Sequence, residues 1–341
     1  MGLLGNAGLA AVATLIVWQG SRLLESTADQ LSTYYRLPVV IQGAVIAAIG
    51  SSFPELSSTV IATLLHGEFE LGIATVVGSA IFNILVIPAL SGLIGQRLAS
   101  ERELVYKDAQ FYMVSVAVLL LAFSFAVIYN PVEGEMLHGT MSRPIALIPL
   151  LLYGLYIFIQ QQDLLDHHDD LADEDEESER NVNVWWEWGR LGVSLGVIVL
   201  GVEWLVRAAL GLGDYFGTPS FLWGLTVIAA GTSLPDAFIS VRAARQGRGI
   251  LSVSNVLGSN IFDLLVAVPA GVLIAGSASV NYAVAAPMMA FLTLATIALF
   301  ASLRSKLELL PWECWLLLAL YVVFVGWMVL ETTGGVDVMP N

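Results

Sequence analysis

Four stretches of this chain carry no charged residue over lengths that can cross a lipid bilayer: Ala109 to Tyr129, Pro144 to Gln162, Gly276 to Leu303 and Cys314 to Leu330. A bilayer core takes about 20 apolar residues per helix, so each run can span it, the shortest with help from its flanks. In hydrocarbon the backbone must bond within its own segment, which makes such spans helices. Buried strands are too short to account for runs of this length. Composition agrees: 57% of the 341 residues are hydrophobic and 13% are charged, against roughly 25% charged in a soluble domain.

Runs and breaks along the chain predict ten spans, at about 3–20, 38–65, 71–95, 109–129, 144–162, 186–208, 218–241, 250–274, 281–303 and 312–331. The first is read as a true span because it lacks the basic leader of a cleavable signal. Basic residues concentrate on cytoplasmic loops. With the N-terminus outside, Arg22, Arg36, Arg97, Arg102, Lys107, Arg180, Arg190, Arg242, Arg245, Arg248, Arg304 and Lys306 fall inside, and only Arg143 and Arg207 fall outside. Both termini are therefore expected outside, in the cell membrane. Five spans per half then insert the two halves upside down relative to each other. The expected fold is an all-α polytopic membrane protein of ten transmembrane helices, built as two inverted five-helix repeats. Residues 1–162 form the first repeat, 163–184 an acidic cytoplasmic linker and 185–341 the second repeat.

The net charge of −15 is concentrated, with ten acidic residues between Asp163 and Glu179. Such a run reads as a solvated linker, and no loop spacing in it suggests calcium sensing. Lys is scarce beside twelve Arg, a balance compatible with a salt-adapted source. A single cysteine, Cys314, excludes a disulfide framework, and His66, His138, His167 and His168 show no zinc-like spacing.

The halves match in sequence. Pro38, Gly43, Gly50, Ser52, Pro54 and Glu55 correspond to Pro219, Gly224, Gly231, Ser233, Pro235 and Asp236 at an offset of 181, which Gly20 and Gly201 share. Gly78-Ser79, Ile81-Phe82 and Asn83 correspond to Gly258-Ser259, Ile261-Phe262 and Asp263 at an offset of 180. Inverted repeats are a signature of secondary transporters, which hold substrate near the midplane between interrupted helices.

Proline lacks an N–H, so Pro54 leaves the Gly50 carbonyl without its helical partner and Pro235 does the same to Gly231. The expected breaks gather these carbonyls with the hydroxyls of Ser51, Ser52, Thr232 and Ser233 and the carboxylates of Glu55 and Asp236. Donors that are all oxygen suit hard cations such as calcium and sodium. A structural kink, or close packing at Gly78 and Gly258, explains the small residues but not the acids. Glu55, Asp236 and Asp263 are the only charged residues in their spans. An ionised carboxylate at the bilayer centre costs at least ~2.5 kcal/mol, which points to function. Glu203 has Arg207 four residues later and reads as a helical ion pair.

GSSFPEL with GSAIFN, and GTSLPD with GSNIFD, resemble the two repeats of the sodium/calcium exchangers in the calcium/cation antiporter superfamily. The resemblance implies a ten-helix antiporter, not an enzyme and without a cofactor, exchanging calcium for sodium by alternating access. It implies ligands from Ala48 (carbonyl), Ser51, Ser52, Glu55, Ser79 and Asn83, and from Ala229 (carbonyl), Thr232, Ser233, Asp236, Ser259 and Asp263. Many prokaryotic members carry Glu at the position of Asp236, and the shorter arm should alter calcium affinity. The segment SVRAARQGRGILSVSNVLGSNIFD resembles the potassium-dependent branch.

Three sodium ions would neutralise Glu55, Asp236 and Asp263. One calcium would leave one negative charge, to be met by a proton on Asp263, a potassium ion or hydrogen bonds from Asn83 and the hydroxyls. Glu55 and Asp236 are expected to bridge calcium, and Asp263, Ser79 and Ser259 to complete sodium sites. The first and sixth spans are candidates for the moving gate. The expected partners are inorganic cations and membrane lipid, with no nucleic acid and no obligate protein partner. A proton/calcium antiporter is the nearest rival. An intramembrane aspartyl protease is remote, because Gly211 to Asp214 and Pro88 to Leu90 occur in the wrong order for it. A channel fits an occluded paired site less well than alternating access does.

Overall fold

The computed structural model describes residues 2–35, 48–95, 98–99, 107–166 and 183–335. The first part of the expected second span with Pro38 and Gly43, the basic residues Arg36, Arg97, Arg102 and Arg180, His167, His168 and most of the acidic linker lie outside them.

The described chain is mostly helical. The first half contains α1 (Leu3–Tyr34), α2 (Ala48–His66), α3 (Phe69–Ile94), α4 (Ala109–Tyr129) and α5 (Arg143–Asp166). The second begins with α6 (Val184–Phe216) and α7 (Ser220–Trp223), a π-helical turn (Gly224–Ile228), α8 (Ala229–Thr232) and α9 (Leu234–Arg245). It continues with α10 (Gly249–Phe262), a second π-helical turn (Asp263–Ala267), α11 (Val268–Ala275), α12 (Tyr282–Lys306) and α13 (Pro311–Thr332). Among the described residues, eight helical segments are long and apolar enough to cross a membrane. The pair Ser220–Thr232 and Leu234–Arg245 is apolar and long enough only when taken together, and it is bent by 46° at its break.

The proline breaks are not alike. The second motif is interrupted: α8 ends at Thr232, Ser233 intervenes, and α9 restarts with Pro235 in its first turn, where no N–H is needed. The expected break in the first motif is absent, and α2 runs through Pro54. Gly50 stands four residues before that proline, as Gly231 does before Pro235, so the glycine does not by itself decide between a continuous and a broken helix.

α1 and α6 are longer than expected, at 32 and 33 residues. Each reaches about 50 Å, more than the ~30 Å of a bilayer core, and Arg22, Glu25 and Asp29 occupy the polar end of α1. α6 stops at Gly217, whose φ of 62° is a left-handed cap open to glycine. The two long helices pack on each other through the glycine pair of the repeat. A Cβ on Gly20 would stand 2.7 Å from Ile198, and one on Gly201 would stand 2.9 Å from Val17. Absent side chains bring the backbones together.

α3 is the central scaffold. It is apolar all round, buried along most of its length, and packs on α2, α9, α10, α12 and α13. Packing is also the role of Gly78, where a Cβ would collide with the Leu225 backbone. It is not the role of Gly258, which has no atom within 4 Å of its Cβ position.

Two small ribbons qualify the all-α expectation. β1 (Leu98–Ala99) pairs antiparallel with β4 (Glu308–Leu309), and β2 (His138–Ser142) with β3 (Ser277–Asn281). In β2 and β3 burial alternates, with Gly139, Met141, Ala278 and Val280 inward. One ribbon links the connection between α3 and α4 to that between α12 and α13, and the other links the connection between α4 and α5 to that between α11 and α12.

Candidate cation site

Side chains from α2, α3, α8, α9, α10 and the second π-helical turn meet in one buried polar centre. Ser52, Glu55, Ser79, Asn83, Ser233, Asp236, Ser259 and Asp263 are all 0–1% exposed. Such burial among apolar helices follows from spacing. Ser52 and Glu55 lie three residues apart on α2, as Ser233 and Asp236 do across the start of α9, and Ser79 and Asn83 lie four apart on α3. Each pair therefore shares one helix face.

The hydroxyls form two relays that cross between the halves. Ser79 Oγ donates to Glu55 Oε1 at 3.2 Å and lies 2.7 Å from Ser233 Oγ. Ser259 Oγ donates to Asp236 Oδ2 at 2.5 Å and lies 2.8 Å from Ser52 Oγ. Because Ser79 gives its proton to Glu55, Ser233 supplies the proton of the Ser79–Ser233 bond, while Ser52 stands against both Ser259 and Asp263. The offsets of the repeat exchange the relays: Glu55, Ser79 and Ser233 become Asp236, Ser259 and Ser52. Thr232 stands beside Glu55, and its counterpart Ser51 beside Asp236.

The equivalence ends at Asn83 and Asp263. Asn83 Nδ2 donates to Asp236 Oδ2 at 3.2 Å and to Asn260 Oδ1 at 3.0 Å. Neither oxygen of Asp263 has a hydrogen-bond partner. Three further buried oxygens lack one: Glu55 Oε2, Asn83 Oδ1 and Asp236 Oδ1. A buried carboxylate oxygen without a partner is costly unless a positive charge compensates it. Among the described residues no three His, Cys, Asp or Glu side chains close into a metal-holding group. The three acids are interleaved with hydroxyls and an amide, so a cation here would draw mixed oxygen donors.

The carbonyl ligands implied by the resemblance differ in circumstance. Ala48 is the first residue of α2. The Ala229 carbonyl accepts the Ser233 N–H at 3.0 Å and the Thr232 hydroxyl at 3.3 Å. Glu203 stands apart from the centre. Arg207 Nε donates to its Oε1, and His66 Nε2, at the end of α2, lies 3.0 Å from its Oε2. The helical ion pair is present, and His66 is a second partner that spacing along the chain did not indicate.

Sequence reasoning also missed Asn260 and Tyr112, both fully buried. Asn260 Nδ2 donates to the Ala80 carbonyl and the Tyr112 hydroxyl, each at 3.2 Å. The available signal was a departure from the repeat, GSN in the second half against GSA in the first.

Residues 5–161 and 186–330 match the profile of a family described as Sodium/calcium exchanger protein. The sodium/calcium exchanger MaX1 of Methanosarcina acetivorans is 28% identical over 338 residues, covering 90% of this chain and 93% of that one. Inner membrane protein YrbG of Escherichia coli is 28% identical over 275 residues, covering 77% and 78%. Among solved structures, the sodium-calcium exchanger NCX_Mj soaked with sodium and strontium superposes with a TM-score of 0.60 at 22% identity, covering 95% of this chain and 98% of that one. Native YfkE superposes with a TM-score of 0.70 at 18% identity, covering 94% and 92%. At these identities the superpositions speak to the fold alone.

Proposed function

Because the chain belongs to the sodium/calcium exchanger protein family, we propose that it is a secondary antiporter that exchanges calcium for sodium by alternating access. One observation carries this reading: five buried oxygens of Glu55, Asn83, Asp236 and Asp263 have no hydrogen-bond partner. Hard cations answer that arrangement, and oxygen donors of mixed charge suit calcium and sodium in turn. In this proposal the ligands are Glu55, Asp236, Asp263, Asn83, Ser51, Ser52, Thr232, Ser233, Ser79 and Ser259, with the Ala48 and Ala229 carbonyls. Both ions compete for them, and competition for one centre produces exchange.

The proposal includes ten helices in two inverted repeats, residues 1–162 and 185–341, joined by a cytoplasmic acidic linker at 163–184, with both termini outside the cell membrane. The exchanged serine relays, the glycine pair between α1 and α6 and the two ribbons support the inverted relation. The balance of basic residues supports the orientation. α1 and α6, packed on each other along their length, are the proposed moving gate.

Potassium coupling is a second reading. It is favoured by 63 residues that are 49% identical to the human sodium/potassium/calcium exchanger 4, a tenth of that protein's length. The test is calcium-45 uptake into vesicles driven by an outward sodium gradient, with potassium present or absent. Uptake is expected to require sodium and to vanish in Glu55→Gln and Asp236→Asn. Normal transport by either variant would remove the site assignment, and uptake driven by a pH gradient alone would favour proton exchange.

A further inference from the structure

We propose that Asn260 is a positioning residue for the cation site: it fixes which end of the Asn83 amide faces the ion. The inference rests on the reading of the centre as a cation site. An asparagine amide can occupy its place in two orientations, and only its partners decide between them. For Asn83 the decision begins at a group that cannot turn. The Ala80 carbonyl is a backbone acceptor, and it takes a hydrogen bond from Asn260 Nδ2 at 3.2 Å. The second proton of that Nδ2 goes to the Tyr112 hydroxyl, also at 3.2 Å. Asn260 Oδ1 must therefore point the other way, towards Asn83. It accepts from Asn83 Nδ2 at 3.0 Å. The same Nδ2 donates to Asp236 Oδ2 at 3.2 Å, which uses both amide protons. Asn83 Oδ1 is then left buried and without a partner, available to a cation.

Turning the Asn83 amide over would set its oxygen against Asn260 Oδ1 and a carboxylate, two acceptors that offer no proton. It would also aim its NH₂ at the place of the ion. The bracket thus selects an oxygen ligand and rejects a positive end. It exists in one half only, because the repeat equivalent of Asn260 is Ala80, the residue whose carbonyl Asn260 holds. Asp263, the equivalent of Asn83, has no such amide bracket, and Ser52 is the hydroxyl that stands beside it. One half of the centre presents an oriented neutral oxygen and the other a carboxylate without an amide bracket.

The test measures calcium-dependent thermal stabilisation of the detergent-solubilised protein beside sodium-driven calcium uptake in vesicles. In Asn260→Ala the calcium concentration for half-maximal stabilisation is expected to rise about tenfold, the loss of one or two buried hydrogen bonds. In Tyr112→Phe, which keeps the Ala80 anchor, the rise is expected to be about threefold. In an Asn83→Ala background, Asn260→Ala should add nothing. A purely structural role would lower the melting temperature without calcium and leave the calcium dependence alone. That result, or an equal shift with and without Asn83, would overturn the proposal. Should Asn260→Ala fail to fold, an unchanged calcium dependence in Tyr112→Phe would overturn it equally. Absence of sodium-driven uptake in the unaltered protein would remove the exchange reading, while the stabilisation measurement still decides the role of Asn260.

Discussion

The hydroxyls of Ser79 and Ser233 lie 2.7 Å apart although they belong to different halves of the chain. Through this bond an α3 residue that donates to Glu55 is held by the residue at the break between α8 and α9. The matching bond between Ser52 and Ser259 does the same for Asp236. Each acid is thus oriented by both halves, and any relative movement of the halves alters both acids together.

Removing the middle hydroxyl of each relay separates the two ions. Ser79→Ala and Ser259→Ala remove no carboxylate, so calcium, which in the proposal is bridged by Glu55 and Asp236, should keep its apparent affinity within about threefold. Sodium, for which the proposal makes these hydroxyls ligands, should need about tenfold more for half-activation. Calcium–calcium exchange measured beside sodium-driven uptake checks this. An equal loss in both assays would mean that the serines only support the fold.

The glycine seam between α1 and α6 makes a prediction about stability. In Gly201→Val the new side chain meets Val17 and Ile16 at 2.9–3.0 Å from Cβ alone. Such overpacking costs about 1–3 kcal/mol, read as a lower melting temperature in detergent. Gly258→Ala meets nothing within 4 Å. It should be neutral or stabilising by up to ~1 kcal/mol, because alanine is the better helix former. Similar melting temperatures for the two variants would contradict the packing described.

Glu203 has a partner on each oxygen, Arg207 from its own helix and His66 from α2. Loss of one partner leaves the other, so Arg207→Gln and His66→Gln should each destabilise by less than about 1 kcal/mol. The double variant leaves a half-buried carboxylate alone and should lose more than the sum of the two. The excess, about 0.5–3 kcal/mol for residues in one network, is measurable by thermal unfolding. Strict additivity would show that the His66 contact contributes nothing.

The paired acids and serines could be read from the sequence because they occur twice, and duplication marks a residue without any structure. The same reasoning hides what occurs once. Asn260 faces Ala80 in the other half, so comparing the halves passes over the residue that orients Asn83. His66 shows no zinc-like spacing, and its partner Glu203 is too distant in the chain for spacing to reveal. Pro54 and Pro235 look equivalent in sequence, but only the second sits where the helix restarts. The β2–β3 ribbon was not legible because five-residue segments such as His138–Ser142 take strand form only through a partner that the chain supplies much later.

Asp263 decides the charge of the centre. It is fully buried, the Ser52 hydroxyl stands beside it, and its counterpart Asn83 is neutral and already held. With Glu55 and Asp236 it brings the acids to three. Three sodium ions balance three charges, and one calcium balances two. Asp263→Asn removes the third charge but leaves the two acids proposed to bridge calcium. Calcium–calcium exchange should therefore persist, within about threefold of the unaltered protein. Sodium-driven uptake should fall by at least about tenfold, because the remaining pair of carboxylates no longer compensates a third sodium. The converse change, Asn83→Asp, places an acceptor against Asp236 and Asn260 where Nδ2 now donates to both. It also adds a fourth charge, so both exchange modes should be lost. Normal sodium coupling in Asp263→Asn would show that the third carboxylate is not a sodium ligand, and that the asymmetry between Asn83 and Asp263 serves some other end.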